Sequence, residues 1–178
     1  MSEEKENIMT IKKYRPNVGL MIINPRGQVW LGQRTNSEKF KYKMQMPQGG
    51  IDEGENITEA AYRELWEETG LTKDKVKLIC ISNRWYSYRF FKPISFGHIQ
   101  FIGQSQKWFL FLHNGEDSDF NLQVHPEEIE FASFEWHNID DIISHIVPFK
   151  RDVYRKVIQE FKPIIQKLIT SDTLPDSN

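Results

Sequence analysis

Short apolar runs separated by turn residues dominate the first third of the chain. Residues 18–23 (VGLMII) are continuously apolar apart from one glycine, and they end at Asn-Pro-Arg-Gly, residues 24–27. Residues 28–33 form a second run. This pattern predicts a strand, a turn and a second strand that pair as a hairpin. The Pro-Gln-Gly-Gly sequence of residues 47–50 predicts a loop.

A helical period follows between residues 56 and 69. Asn56 is a helix-capping residue type, Glu59 stands at the capping-box position, and Gly70 can adopt the left-handed conformation that ends a helix. At about 100° per residue, one side of this helix carries apolar and aromatic side chains and can pack on a sheet. They are Ala61, Tyr62, Leu65 and Trp66.

The rest of the chain predicts further strands and two more helices. Strands are predicted at residues 76–82, 106–112 and 131–136, with an irregular, aromatic-rich excursion over 84–103. A short helix is predicted at 139–144 and an amphipathic helix at 149–161, which Pro163 should kink or end. Alternating strands and helices favour a single α/β domain with a mixed sheet covered by helices.

Length and composition limit the classes of protein. With 178 residues, the chain is long enough for one domain, predicted at 14–169 between an N-terminal extension (1–13) and a loose C-terminal tail (170–178). A single cysteine, Cys80, predicts a reduced, cytoplasmic protein. No apolar run approaches the ~18 residues of a membrane span, and the acidic start does not resemble a signal peptide, so no membrane association is expected.

The near-neutral net charge of −2 hides a segregation of charges along the chain. Residues 51–70 carry seven acidic and one basic side chain, whereas residues 71–112 carry one acidic and seven basic. Surface charges that only maintain solubility are usually mixed. The blocks therefore suggest a site in which opposite charges have different tasks, although separate solvated faces would produce the same pattern.

Three carboxylates share one face of the predicted helix. Glu64, Glu67 and Glu68 lie within about 100° of one another on a helical wheel. Like charges at i,i+4 destabilise a helix unless they are neutralised, and Arg63 alone cannot balance three of them. A hard divalent cation such as Mg²⁺ can, because it prefers oxygen ligands. The preceding glycine-rich loop permits a close backbone approach, so that a main-chain carbonyl could join the ligands. An ordinary acidic helix face behind a plain turn is the alternative.

These residues form a pattern that resembles a known signature. Gly49, five residues, Glu55, seven residues and then residues 63–71 (RELWEETGL) resemble the complete Nudix box. The resemblance implies a Nudix fold, a mixed β-sheet between helices, and hydrolysis of phosphoanhydrides with Mg²⁺ or Mn²⁺. It implies that Glu64, Glu67 and Glu68 are metal ligands and catalytic residues, that Arg63 orients them, and that the Gly49 carbonyl faces the metal.

The resemblance extends beyond the box to the bacterial RNA pyrophosphohydrolases and dinucleoside polyphosphate hydrolases of this family. Four blocks carry it: residues 14–19 (YRPNVG), 46–51 (MPQGGI), 103–110 (GQSQKWFL) and 149–154 (FKRDVY). Glu130 is similar to an additional catalytic and metal-binding carboxylate of the family, although Glu127 and Glu128 are close enough to leave that alignment open. Either Glu67 or Glu130 would take the proton of the attacking water.

The basic side chains then become candidate ligands for phosphates or for the nucleotide chain. They are Arg15, Arg34, Lys107 and Lys150. Phe149 resembles the family's base-stacking residue. Phe149 as part of a core stripe, and Lys150 as plain surface charge, are the alternatives.

Three functions are compatible with these features. The first is an RNA 5′ pyrophosphohydrolase that converts a 5′-triphosphate or diphosphate end to a monophosphate and so initiates mRNA decay. The second is a diadenosine oligophosphate hydrolase that uses the same site. The third is a catalytically silent domain that binds nucleotides. The complete set of box glutamates disfavours the silent domain, and the oligomeric state is left open.

Overall fold

The computed structural model describes residues 11–35 and 42–172, and this part of the chain folds around one mixed β-sheet. Its eight strands are β1 (Ile11–Ile23), β2 (Val29–Arg34), β3 (Met44–Gln45), β4 (Gln48–Gly50), β5 (Lys77–Ile81), β6 (Tyr86–Phe96), β7 (Ile99–Leu112) and β8 (Phe131–His137). The helices within the same residues are α1 (Ile57–Thr69), α2 (Ile142–His145) and α3 (Arg151–Asp172), with short 3₁₀ turns that include Pro148–Lys150.

The long central strands β1 and β7 run parallel, and every other pairing is antiparallel. The main strand order is β3-β2-β1-β7-β5, while β4 pairs with β1, β6 with β7 and β8 with β2. The β1–β7 register begins at Ile11 opposite Ile99 and ends at Ile23 opposite Leu112. Because β4 pairs with β1, the loop that precedes α1 is held against the centre of the sheet.

Two apolar cores lie on opposite faces of the sheet. Alternate residues of β1 point to opposite faces, so Leu20 belongs to the core beneath α1 while Met21 belongs to the core beneath α3. The α1 side buries Ala60, Ala61 and Leu65, and the α3 side buries Val153, Tyr154, Val157 and Phe161. The sheet therefore lies between helices, which confirms the predicted α/β fold class.

Helix α1 begins and ends at the predicted residues. Asn56 Oδ1 accepts a hydrogen bond from the backbone N–H of Thr58 at 2.8 Å. Gly70 has φ +75° and donates its N–H to the carbonyl of Trp66 at 2.8 Å. Since both ends are fixed by local hydrogen bonds, the phase of the carboxylate face is set by the sequence around it.

The prediction of an irregular excursion over residues 84–103 is wrong. This segment is a long antiparallel hairpin of β6 and β7 that turns at Gly97, which has φ +57°. The pairing register shifts between Arg89 and Ile94. Pro93 cannot donate to the ladder, and the bulge accommodates it. That interruption hides the strand pattern from a reading of the sequence.

The prediction that Pro163 kinks or ends the last helix at that point is wrong about the end, because α3 continues to Asp172. Pro163 and Gln159, whose carbonyl would accept its missing N–H bond, are both exposed, so water can replace that bond. On the other side of the helix, Phe161 and Ile165 are buried and hold α3 on the sheet.

The structure extends slightly beyond both ends of the predicted domain, whose boundaries at 14 and 169 stay a prediction. Residues 11–13, predicted as part of an extension, are the first of β1, and residues 170–172, predicted as part of a loose tail, are the last of α3. The remainder of both segments, 1–10 and 173–178, lies outside the described residues. Within the described ranges, no helix combines the length and the apolar character needed to cross a membrane.

Candidate active site

The carboxylate face of α1 lies against β4. The backbone N–H of Gln48 donates to Glu68 Oε2 at 2.9 Å. A Cβ atom on Gly49 would lie only 1.8 Å from Cδ of Glu64, so a glycine is needed for Glu64 to lie against the strand. The β4 backbone at Gln48 and Gly49 is therefore a close neighbour of Glu64 and Glu68, while the metal-facing role of the Gly49 carbonyl stays a prediction.

Arg63 holds the acidic groups together. Its guanidinium donates to both carboxylate oxygens of Glu55, at 2.8 and 2.9 Å, and to the Gly50 carbonyl at 2.8 Å. The remaining nitrogen, Nη1, donates to Glu64 at 2.7 Å and to Glu67 at 3.1 Å. The planar fork of an arginine suits this arrangement. Arg63 thus contacts two of the three glutamates, and its role in orienting them for catalysis stays a prediction.

Glu55 is a site residue that was not among the predicted catalytic or metal-binding residues. The hydrogen bonds from Arg63 lower its pKa to about 2, so Glu55 is ionised at neutral pH. Its contribution is to fix the Arg63 guanidinium, whose remaining nitrogen, Nη1, then donates to Glu64 and Glu67. The only sequence signal for it was its place in the Nudix box.

The pKa values of two helix carboxylates, Glu64 and Glu68, are raised by burial, unlike the lowered pKa of Glu55. Desolvation raises the pKa of Glu64, although Arg63 opposes this shift. Desolvation also raises the pKa of Glu68, and the negative charges of Glu64 and Glu130 raise it further. Adding a cation among these oxygens would favour the ionised forms. The site is therefore electrostatically prepared for a positive ligand.

The donor set matches a hard divalent cation. Carboxylate oxygens of Glu64 and Glu68 lie beside the backbone of Gly49 and Gln48, Glu67 is linked to Glu64 through Arg63, and oxygen ligands are those that Mg²⁺ and Mn²⁺ prefer. Within residues 11–35 and 42–172, no three His, Cys, Asp or Glu side chains already converge as a ready-made metal cluster. Arg63 Nη1 instead lies between Glu64 and Glu67.

A cavity of about 690 Å³ opens beside these carboxylates. It is bounded by β1, β2, β4, β6, β7 and the 3₁₀ turn at Pro148–Lys150. Its charged lining residues are Arg15, Arg34, Glu68, Glu130 and Lys150, and its aromatic ones include Tyr88, Phe90 and Phe149. Cations, carboxylates and rings thus meet in one concave site, the composition expected for binding a nucleotide polyphosphate.

Lys150 is buried in the cavity wall, which rejects the alternative that it is plain surface charge. Its side-chain amine donates to Gln45 Oε1 at 2.6 Å and to Gln48 Oε1 at 3.1 Å, and only 7% of the residue is exposed. Burial, together with the neighbouring charge of Arg34, lowers its pKa to about 7. An anionic ligand in the cavity would restore the charged form.

Glu130 also faces the cavity. Its carboxylate accepts a hydrogen bond from Arg34 Nε at 2.9 Å, and its charge acts on both Glu68 and Lys150. Glu127 and Glu128 do not line the cavity. Of the three glutamates that the sequence left open, Glu130 is therefore the one beside the box carboxylates.

Phe149 is not part of the core stripe of α3. Its side chain is 49% exposed, lines the cavity and lies 5.7 Å from the Tyr88 ring, measured between centroids.

Lys107, by contrast, does not line the cavity. Its amine donates to the carbonyl of Asn83 at 3.3 Å and lies 6.0 Å from the Trp85 ring centroid. The structure brings four of the five predicted substrate-binding residues together and leaves Lys107 apart.

Comparison with known proteins agrees with this geometry. The family model described as NUDIX domain matches residues 13–160. The chain belongs to the Nudix family. It is 40% identical over 171 residues to an RNA pyrophosphohydrolase of Wolbachia pipientis subsp. Culex pipiens, covering 93% of this chain and 96% of that protein. It is 42% identical over 170 residues to an RNA pyrophosphohydrolase of Shewanella denitrificans, covering 90% and 91%.

Solved Nudix-like structures share the fold at lower identity. A C. elegans Ap4A hydrolase complex superposes with a TM-score of 0.59 and 20% identity, covering 86% of this chain and 98% of that one. The E. coli dihydroneopterin triphosphate pyrophosphohydrolase superposes with a TM-score of 0.61 and 18% identity, covering 85% and 97%. These findings confirm the predicted family and fold. Nudix hydrolases generally need a divalent metal.

The Nudix cavity also contains a polar network that the sequence analysis missed. Gln48 Nε2 donates to Gln104 Oε1 at 3.1 Å, the Tyr88 hydroxyl donates to the same oxygen, and Gln106 Nε2 donates to Gln48 Oε1 at 3.2 Å. Burial raises the pKa of Tyr88 to about 12, so its hydroxyl stays protonated. These side chains come from three strands, and no sequence pattern could group them.

Proposed function

We propose that this chain is an RNA 5′ pyrophosphohydrolase, which hydrolyses the 5′-triphosphate or diphosphate end of RNA to a monophosphate and so initiates mRNA decay. The observation that carries the proposal is one cavity in which Glu68 of α1 and Glu130 meet Arg15, Arg34, Lys150 and the Phe149 ring. Relatives with this name that are 40–42% identical over nine-tenths of the chain support it. The cytoplasmic location predicted from the single cysteine is part of the proposal.

Glu64, Glu67, Glu68 and Glu130 would hold Mg²⁺ or Mn²⁺ together with the Gly49 carbonyl. When bound, the divalent cation supplies neutralisation of phosphate charge and a water of lowered pKa. Arg63 keeps Glu64 and Glu67 in position through its own anchor on Glu55. The backbone N–H of Gln48 keeps one oxygen of Glu68 in place.

Two carboxylates are placed to accept the proton of the attacking water. Glu67 is one-third exposed and is held by Arg63, while Glu130 is held by Arg34 at the cavity wall. Phosphoanhydride cleavage requires alignment and charge neutralisation more than covalent help. The arginine contacts therefore serve catalysis by keeping either base at a fixed distance from the phosphates.

The remaining cavity residues bind the substrate. Arg15, Arg34 and Lys150 would hold non-bridging phosphate oxygens, since hydrogen bonds between cationic side chains and phosphate are charge-assisted and strong. Phe149 would stack the first base against the side of the cavity that contains Tyr88. A ring face accepts any base, so this contact positions the first nucleotide with little sequence preference. Lys107 stays a proposed contact for RNA outside the cavity.

A diadenosine oligophosphate is the second candidate substrate. The Phe149–Tyr88 ring pair could stack an adenine as well as the first base of an RNA, and the box carboxylates would act on either polyphosphate. The two functions differ in relative kcat/KM and not in the residues used. A catalytically silent nucleotide-binding domain is disfavoured, because the box keeps all three glutamates: Glu68 lines the cavity, and Glu64 and Glu67 both accept hydrogen bonds from Arg63.

The test is a side-by-side substrate panel with product identification. Purified protein is incubated with Mg²⁺ and either 5′-triphosphate RNA, 5′-diphosphate RNA or diadenosine tetraphosphate, and the products are separated. We expect the RNA substrates to yield 5′-monophosphate RNA with the highest kcat/KM. Glu68→Gln is the matched control, since it keeps size and hydrogen-bonding capacity but removes the charge.

Two outcomes would contradict the proposal. The RNA pyrophosphohydrolase proposal would be rejected if the wild type and Glu68→Gln both released negligible phosphate or pyrophosphate from the RNA substrates. A higher kcat/KM for diadenosine tetraphosphate than for both RNAs would select the second candidate. For the silent domain, the expected result is a rise of the melting temperature with nucleotide and Mg²⁺ but no consumption of any nucleotide.

A further inference from the structure

The hairpin of β6 and β7 carries an apolar surface that continues outward from the cavity. Ile94, Phe96 and Phe101, here called the hairpin face, line its outer wall. Ile94 and Phe101 are register partners, and the Phe96 ring lies 5.9 Å from that of Phe101. Ile94 is 47% exposed and Phe96 is 60% exposed. Exposed apolar residues grouped beside a polar site mark a surface that a ligand or partner covers.

Aromatic rings connect this face to the inside of the cavity. Phe149 contacts Tyr88 at 5.7 Å between centroids, and Tyr88 contacts Phe90 at 6.0 Å. Phe90 in turn lines the same cavity as Phe96 and Phe101. From Gln104 to Ile99, β7 extends about 17 Å at ~3.4 Å per residue. A chain that starts in the cavity can therefore follow the hairpin for several nucleotides.

The charge around the hairpin face indicates the chemistry of its ligand. The strand segments that build this region, residues 11–17, 86–96 and 99–106, contain no Asp or Glu and five basic residues: Lys12, Lys13, Arg15, Arg89 and Lys92. The Lys13 amine lies 5.6 Å from the Phe101 ring centroid. Aromatic rings interleaved with cations are typical of surfaces that bind single-stranded nucleic acid. An apolar protein partner would not need this excess of positive charge.

We propose that the hairpin face stacks bases of the nucleotides downstream of the first one in a single-stranded RNA whose 5′ end occupies the cavity. The inference rests on the proposed function, because it assumes that the substrate continues beyond its first nucleotide. Phe96 and Phe101 provide ring faces for bases, and Lys13 provides a cation for the phosphate backbone. A dinucleoside polyphosphate has no downstream nucleotides to place on this surface.

The test compares two 5′-triphosphate RNAs that share their first two nucleotides, one of two and one of eight nucleotides. The readout is the length ratio, defined as kcat/KM for the longer RNA divided by kcat/KM for the shorter one. We expect Phe96→Ala to lower this ratio at least about fivefold relative to the wild type, because base–ring stacking is lost. Phe96→Tyr keeps a ring and should retain the wild-type ratio. Phe91→Ala is the matched control, since Phe91 is on the same hairpin, is 93% exposed and does not line the cavity.

A binding measurement separates this inference from the proposed function. The Kd of a fluorescent eight-nucleotide RNA with a 5′-monophosphate is measured by anisotropy, and Phe96→Ala should raise it by a similar factor. If the wild type hydrolyses neither RNA, the proposed function fails, while a raised Kd still supports RNA on the hairpin. An unchanged Kd and an unchanged length ratio overturn the hairpin inference, and a protein partner on this face would give that result. An equal loss on both RNA lengths overturns it as well, because it indicates a structural role.

Discussion

Replacing Gly49 by alanine tests whether the close approach of β4 to α1 is required for activity. Gly49 does not have a positive φ, so its backbone conformation admits an alanine. The added Cβ would nevertheless lie 1.8 Å from Cδ of Glu64 and 1.9 and 2.0 Å from its two carboxylate oxygens. Ordinary contacts of this kind are ~3.5 Å, so the Glu64 carboxylate must move by more than ~1 Å.

A displacement of this size is sufficient to impair a catalytic site, since ~1 Å of misplacement can reduce a rate about 100-fold. We therefore expect Gly49→Ala to lower kcat/KM for 5′-triphosphate RNA by about 100-fold. The melting temperature should change little, because the Glu64 side chain can rotate away while β4 keeps its pairing with β1. The assay is steady-state hydrolysis with saturating Mg²⁺, with a thermal melt of the same sample.

Gly54→Ala is the matched control for this substitution. Gly54 lies in the loop that follows β4, with φ +79°, and an added Cβ would have no atom within 4 Å. We expect the opposite pattern, namely a stability loss of about 1–2 kcal/mol from the left-handed conformation and activity within about twofold of the wild type. If Gly49→Ala is folded and keeps wild-type kcat/KM, the reasoning about Glu64 is refuted.

Three further substitutions test other parts of the structure. Arg63→Lys should lower kcat/KM about 10- to 100-fold in steady-state assays, because a lysine cannot hold Glu55 with two parallel hydrogen bonds; activity near the wild type would contradict that role. Lys150 has a pKa of about 7, so it loses its charge above that pH, whereas an arginine at the same position keeps its charge. The ratio of wild-type kcat/KM to Lys150→Arg kcat/KM should therefore fall as pH rises through about 7. A ratio that does not change with pH would contradict the lowered pKa of Lys150. Pro163→Ala should raise the melting temperature by a few degrees by restoring an N–H donor for the exposed Gln159 carbonyl in α3, and a lower melting temperature would show that the proline is needed there.

The features that the sequence determined by itself depend on residues near one another in the chain. Helix α1 is set by Asn56 at its start and Gly70 at its end, and the spacing of Glu64, Glu67 and Glu68 then places them on one face. The β1–β2 turn is likewise local, since Asn24 Oδ1 accepts from the backbone N–H groups of residues 26 and 28. Hydrogen-bonding preferences and periodicity act over a few residues, so these features can be predicted without the fold.

Only the tertiary structure decided which distant residues complete the site. Arg34 and Glu130 are 96 positions apart, yet they form an ion pair because β2 pairs with β8. Lys150 could equally have been a surface charge, and its burial against Gln45 and Gln48 follows from where the last 3₁₀ turn meets the sheet. Strand register and helix docking are properties of the whole packed core. They alone determine which side chains lose water, and therefore which pKa values shift and which cations remain to bind phosphate.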